Sequence, residues 1–419
     1  MRPADVGVRL LLGFGAAVLV VVGAIVLFVV TDSDALRAVA LVIEVLVVAG
    51  LLAVIYRLLT RTLEAGAVAP AAADRTLGLG ERITEDRRRA AVVAALRDAH
   101  ALERGGRRFA EGAVRQLRDV QGRDAAARAA ADLFERQRAR AAAAEQRTLE
   151  RLRALGRRRK RLADDELLVG EWLYERLLAH SVLTNARHGY GLARLAEMSY
   201  AIVEHLAAAA GDEESRQLAA AERADAEALA EGWTAAWDVI LDAFATQSGE
   251  DGRRATHELL DEAACMEQMR ERLLAVTAAQ GREAAFASGA EDAGIRRILD
   301  TIDRESGEAG EHLRRIDARM RELGHRRSRL HAWETFAAAR ATALSEHVRA
   351  YKLARDVRDV VASDELEVAT YDLLERAARR AGDTATAELA SALRAEAAGG
   401  SARGSAGLDG ALEVALLAE

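Results

Sequence analysis

The feature that most constrains the fold of this chain is an internal repeat of roughly 170 residues. Three pairs of segments match in the same order: LRDAHALE at 96–103 with LDEAACME at 260–267, LERLRALGRRRKRL at 149–162 with DARMRELGHRRSRL at 317–330, and 200–229 with 371–400. Their offsets are 164, 168 and 171 positions. Ordered matches with so little drift indicate a tandem duplication, so the chain is expected to contain two similar folded units.

The residue alphabet predicts that both units are helical. Aromatic residues make up only 4% of the chain and the only two prolines are Pro3 and Pro70, whereas Ala, Leu, Arg and Glu, the strongest helix formers, dominate. Each unit is expected to hold four amphipathic helices, which in the first unit span about 86–119, 124–155, 166–209 and 212–246. Four glycines at matching places are expected to end helices: Gly156, Gly211, Gly324 and Gly382.

A membrane anchor is expected before the repeat. Residues 10–30 are free of charge and long enough to cross a bilayer, and residues 38–59 form a second apolar run that contains Glu44. The segment that joins them is short, which predicts a transmembrane hairpin. Glu44 is interpreted as a carboxyl that faces the partner helix or the near interface, with an intramembrane contact or proton site as the alternative.

The distribution of arginine predicts the orientation of this anchor. Arg2 and Arg9 precede the first span, and Arg57 and Arg61 close the second, whereas Arg37 alone lies in the loop. Both termini and the helical units are therefore expected on the cytoplasmic side of the inner membrane. The lipid bilayer is then the first partner, with homo-oligomerisation and an unidentified protein partner left open.

The predicted organisation follows from these patterns. A net charge of −7 argues against nucleic-acid binding, and neither a phosphate-binding loop nor a Ser-His-Asp order supports an enzyme. The expected fold is all-α, in five parts: a transmembrane hairpin at 1–62, a linker at 63–82, a divergent four-helix bundle at 83–247, a second bundle at 254–398 and a flexible tail at 399–419.

The second unit resembles the YciF-like ferritin-like proteins, which are bacterial four-helix bundles linked to stress responses. Three segments carry the resemblance: ACMEQM at 264–269, EAGEHLRRI at 308–316 and DELEVATY at 364–371. The resemblance implies a bundle interior in which carboxylates and histidine from facing helices hold two metal ions. By position it nominates five ligands for iron or manganese: Glu267, Glu308, His312, Asp364 and Glu367.

The first unit departs from this pattern. Glu103 matches Glu267, but Ala144 stands opposite His312 and Ala196 stands opposite Glu367. Any metal site is therefore expected in the second unit alone.

Three functions remain open on the sequence. The first is a membrane-tethered, stress-associated binding or interaction module with a degenerate metal site. The second is a coiled-coil scaffold or signalling stalk, in which case the ferritin-like resemblance is coincidental. The third is a di-iron or di-manganese oxidase or metal-binding protein, which requires Glu267, Glu308, His312 and Glu367 to converge. Glycines at matching places favour bundles over an unbroken stalk.

Overall fold

A computed structural model describes six parts of the chain: 79–121, 125–156, 181–248, 252–288, 293–325 and 349–417. These residues belong to one compact unit, Gly78–Glu419, and form nine α-helices and no strand within the described ranges. The expected all-α class is confirmed. The predicted spans at 10–30 and 38–59 lie outside the described residues. None of the described helices combines the length and apolarity that a bilayer crossing requires.

The helices of the first unit form a closed ring of contacts, which we call the first group. Its members are α1 (Leu79–Gln121), α2 (Ala125–Ala154), α3 (Val182–Ala209), α4 (Glu213–Ala235) and α5 (Trp237–Ser248). Helix α1 packs on α2 and α3, α3 packs on α4, and α2 completes the ring against α4 and α5.

The second group follows the same order. Its members are α6 (Gly252–Ser288), α7 (Ala293–Glu322), α8 (Arg349–Arg380) and α9 (Thr384–Leu417). Helix α6 packs on α7 and α8, α8 packs on α9, and α9 returns against α7. Each described helix therefore has the same neighbours as its counterpart in the first group.

Glycine ends the helices at matching places. Gly211 and Gly382 adopt positive φ angles of 67° and 70°, which cost a residue with a Cβ but not glycine. After each glycine an aspartate N–H donates back to the preceding helix, from Asp212 to Ala207 O and from Asp383 to Ala378 O, both at 2.9 Å. This Schellman arrangement turns α3 into α4 and α8 into α9.

The same aspartates cap the helices that follow. Asp212 accepts from the N–H of Ser215 at 3.1 Å, and Asp383 accepts from the N–H of Thr386 at 3.0 Å. An arginine near the end of each group's second helix reaches both caps: Arg319 Nη2 lies 2.6 Å from Asp383, and Arg151 binds Asp212 in the same way. This shared cross-link fixes the end of α2 to the start of α4 in the first group, and the end of α7 to the start of α9 in the second.

The two groups share one interior. Two buried apolar clusters each draw side chains from both groups, and the largest fully buried residues are Trp233 and Trp237. Alanine makes up much of the remaining core, so the interior is filled by closely spaced helices and not by large side chains. At Gly189, for example, an added Cβ would lie only 2.7 Å from the Trp233 ring.

Helices α3 and α8 form the main contact between the groups. Arg187 of α3 binds Glu262 of α6, and Arg358 of α8 binds Asp98 of α1. These pairs are reciprocal, because each residue of one pair corresponds in the repeat to a residue of the other. The equivalent positions Arg194 and Glu365, 171 residues apart, meet each other at 3.2 Å. The contact therefore has approximate two-fold symmetry.

Two features differ from the sequence prediction. Helix α9 continues through Gly399 and Gly400 to Leu417, although this Gly-, Ser- and Ala-rich segment is predicted to be a flexible tail. The buried Ser401 donates a hydrogen bond to Glu365 of α8, and this contact stabilises the helix beside the two glycines, whose own helix propensity is weak. The last helix of the first group is also interrupted, since a turn at Ala236 separates α4 from α5.

Candidate metal centre

Three helices of the second group bring two carboxylates and an imidazole together. Glu267 lies on α6, His312 on α7 and Glu367 on α8, and one ligand atom from each lies within 4.8 Å of the others. His312 Nδ1 is 2.8 Å from Glu367 Oε1 and 3.1 Å from Glu267 Oε1. All three side chains are at most 2% exposed. No other group of this kind occurs among the described residues.

Two further side chains hold these ligands in place. The Tyr371 hydroxyl, buried on α8, donates to Glu267 Oε1. On the other side of the imidazole, Glu396 Oε2 lies 3.1 Å from His312 Nε2 and is itself bound by Arg315. A carboxylate that accepts from one ring nitrogen leaves the other nitrogen free to act as a ligand, which is the usual support of a metal-binding histidine.

A buried arginine lies beside the cluster. Arg270, one turn after Glu267 on α6, is 1% exposed and donates from Nε to Asp364 Oδ1 at 2.8 Å. Its Nη1 lies 3.4 Å from Glu367 Oε2 and 4.0 Å from Glu267 Oε2, and its Nη2 lies 3.8 Å from Glu305 Oε2. Four buried carboxylates therefore surround one guanidinium.

The protonation of the cluster reflects this excess of carboxylates. Burial raises the pKa of Glu305 to about 8, with repulsion from Asp364 added, and burial likewise raises the pKa of both Asp364 and Glu367 to about 7. Burial alone would lower the pKa of His312, but hydrogen bonds to Glu267 and Glu367 outweigh it and raise the pKa to about 10. Protons thus compensate for charge that Arg270 alone does not neutralise.

The donor set fits a bound cation. Around Arg270, five buried carboxylate oxygens have no hydrogen-bond partner among the described residues: Glu267 Oε2, Glu367 Oε2, Asp364 Oδ2 and both oxygens of Glu305. Such orphaned oxygens are costly unless a cation or a proton satisfies them. The nitrogen–oxygen distances of 2.8 and 3.1 Å also fit. Ligands about 2.1 Å from one ion lie roughly 3 Å apart when they are adjacent.

Of the five predicted ligands, three converge and two do not. Glu267, His312 and Glu367 form the cluster, whereas Asp364 faces Arg270. Glu308 lies outside it, a third exposed and paired with Arg403 of α9 at 2.6 Å. One turn earlier on α7, Glu305 takes the buried position instead.

The sequence did not nominate Glu305 or Tyr371 as a ligand, and it did not bring Arg270 into the site. Glu305 and Tyr371 carried a signal, because each shares a helical face with a predicted ligand at i, i+3 or i+7 spacing. For Arg270 the only signal in the sequence is its position three residues after Glu267, which places it on the same side of the helix.

The first group has a different interior at the matching place. Glu103 is buried and receives both Nη atoms of Arg140, at 2.9 and 2.5 Å. Ala144 and Ala196 stand where the second group has His312 and Glu367, and both are buried. Glu103 is thus satisfied by one guanidinium, and no histidine or carboxylate stands at the positions that match His312 and Glu367.

Comparisons with protein-family models, with curated proteins and with solved structures find no match to this chain.

Proposed function

We propose that the second group is a ferritin-like four-helix bundle that binds a divalent transition metal through Glu267, His312 and Glu367. The first group is then a divergent copy that has lost the site and serves as a packing partner. The convergence of the three ligands from three different helices, beside buried oxygens that lack a partner, carries this proposal. Mixed carboxylate and imidazole ligands suit Fe²⁺ and Mn²⁺.

The packing of the described helices supports a bundle and not an extended stalk. Each of the first three helices of a group contacts at least two others of the same group, so the apolar stripes face inward. The coiled-coil scaffold lacks comparable support. On the sequence pattern at 10–30 and 38–59, we propose in addition that the bundles are tethered to the cytoplasmic face of the inner membrane.

Each residue around the site has a defined part in this proposal. Glu267, His312 and Glu367 hold the ion, Tyr371 fixes the orientation of the Glu267 carboxylate, and Glu396 holds the imidazole ring. A bound Fe²⁺ or Mn²⁺ would supply Lewis acidity or redox chemistry.

The decisive experiment measures the metal content of the full chain by plasma mass spectrometry after growth in iron- and manganese-supplemented medium. We expect near-stoichiometric metal in the parent chain and at least a tenfold lower content in His312→Gln. His100→Gln is the matched control, because His100 is the buried histidine of the first group and lies outside the site. Absence of metal from both the parent and the control would leave a proton-neutralised cluster and overturn the proposal.

A further inference from the structure

Arg270 divides the carboxylate cluster into two sides. The Oε1 atoms of Glu267 and Glu367 face His312, at 3.1 and 2.8 Å from Nδ1. The Oε2 atoms of the same two carboxylates face Arg270 Nη1, at 4.0 and 3.4 Å. Both carboxylates therefore bridge two positions, one beside the imidazole and one that the guanidinium fills.

The position filled by Arg270 has the surroundings of a second cation site. Asp364 and Glu305 complete it, with their oxygens at 2.8 and 3.8 Å from the guanidinium nitrogens. A carboxylate environment on both sides of two bridging glutamates is what a pair of metal ions requires. Here one of the two cations is a covalent part of α6, and arginine stays protonated at any accessible pH.

The matching position in the first group has no arginine, which allows the two interiors to be compared. Gly106 occupies the position that matches Arg270, 164 residues earlier, and an added Cβ there would meet no atom within 4 Å. The guanidinium of the first group comes instead from Arg140 on α2, which binds Glu103. Each interior therefore contains one guanidinium beside the first-helix glutamate, supplied by a different helix.

We infer that Arg270 limits the site to a single metal ion by occupying the position of a second one. This inference rests on the proposed function and adds the stoichiometry of the site to it. The second position opens only when the guanidinium is removed, because its four carboxylates then lose their cation while their geometry remains.

Metal stoichiometry tests this directly in the full chain. The protein is stripped with a chelator and titrated with Mn²⁺, and bound metal is counted by plasma mass spectrometry and by electron paramagnetic resonance. We expect one Mn²⁺ per chain with the six-line spectrum of an isolated ion. In Arg270→Met we expect a second equivalent and a spectrum broadened by a neighbouring ion.

Three controls separate the outcomes. Arg270→Lys retains the charge and is expected to bind one ion, and Arg140→Met tests the same loss of charge in the first group and is expected to leave the stoichiometry unchanged. Arg270→Gln replaces the Met variant if the latter fails to fold, as judged by circular dichroism.

The possible results bear on different claims. Two ions in the parent chain overturn the inference and leave the proposed function standing, whereas no ion in the parent overturns the proposed function. A folded Arg270→Met or Arg270→Gln variant that still binds one ion also overturns the inference, because Arg270 then does not set the number of ions.

Discussion

The two interiors of this protein solve the same packing problem with opposite charge balances. In the first group two buried carboxylates each meet a guanidinium in a two-point pair, Glu103 with Arg140 and Glu222 with Arg147. In the second group four carboxylates surround Arg270 and His312, and several of their oxygens have no hydrogen-bond partner among the described residues. One interior is neutral by itself, and the other requires protons or a metal ion.

The two groups share the features that hold the helices together and differ in their buried charges. The turn glycines, the capping aspartates and the arginines that bind them occur in both groups, because the fold depends on them. The interior charges differ, because helix packing tolerates any arrangement that leaves no buried charge uncompensated. The interior charges can therefore differ between the groups while the scaffold stays the same.

The largest expected effect comes from removing a carboxylate in each interior. Glu103→Ala leaves Arg140 buried without its partner, and we expect a loss of about 3–5 kcal/mol of unfolding free energy. Glu305→Gln replaces a carboxyl that burial keeps protonated at neutral pH with a neutral amide of similar shape, so in the metal-free protein we expect a change below about 1 kcal/mol. Urea unfolding followed by circular dichroism measures both. Similar losses in the two variants would contradict the contrast between the interiors.

The second expected effect is a fall in the stability of the metal-free protein as pH rises. Glu305, with a pKa of about 8 in the folded state, contributes stability that is full below its unfolded pKa of about 4.3 and is lost as pH rises through about 8. His312, with a folded pKa of about 10, contributes stability that is full below about 6.5 and is lost as pH rises through about 10. Both groups act in the same direction, so we expect the unfolding free energy to fall throughout the range from about pH 5 to about pH 9.

Thermal unfolding at a series of pH values checks this prediction. Glu305→Gln is expected to flatten the dependence below pH 8. Added Mn²⁺ is expected to stabilise the chain more at pH 8 than at pH 6, since the ion competes with protons for the same ligands. A metal effect independent of pH would argue against binding at these ligands.

The third prediction concerns a feature that the groups share. Asp212→Ala and Asp383→Ala each remove an N-cap and the partner of a half-buried arginine, and we expect each to cost about 1 kcal/mol. Because the geometry is repeated, the two losses should agree within about 0.5 kcal/mol. Denaturant midpoints of the two variants measure this, and a clear inequality would show that the groups do not use the cap alike.

The smallest expected effect lies at the contact between the groups. Arg194 and Glu365 are 25% and 22% exposed, so reversing one charge with Arg194→Glu should cost about 1 kcal/mol or less. The exchanged pair, Arg194→Glu with Glu365→Arg, should recover most of that loss. A double-mutant cycle from unfolding midpoints gives the coupling, and no recovery in the double variant would mean that the pair does not interact.

Much of the scaffold could be predicted from the sequence, whereas part of the site could not. Helices and their ends follow from local signals such as Gly382 followed by Asp383. The spacing of Glu305, Glu308 and His312 places them on one face of α7, but spacing alone does not show that Glu305 is buried while Glu308 meets Arg403. How deeply each charged residue on a helical face is buried depends on the helices that pack against that face.

The role of Arg270 was beyond local reasoning for a related reason. An arginine in a charged helical sequence is expected at the surface. Its burial depends on Asp364, which lies 94 positions away, and on two further helices that converge only in the folded chain. Charge pairing between residues so far apart in the sequence cannot be read from the spacing of residues along a single helix.

The near-symmetric contact between α3 and α8 also determines which surfaces can pair. Two first groups placed in this arrangement would bring Arg194 against Arg194, and two second groups would bring Glu365 against Glu365, whereas the observed pairing joins opposite charges. A two-fold contact usually joins two identical surfaces, but here the opposite charges of Arg194 and Glu365 favour pairing of the first group with the second. Opposite charges at the pseudo-symmetry axis thus disfavour like-with-like association between neighbouring chains.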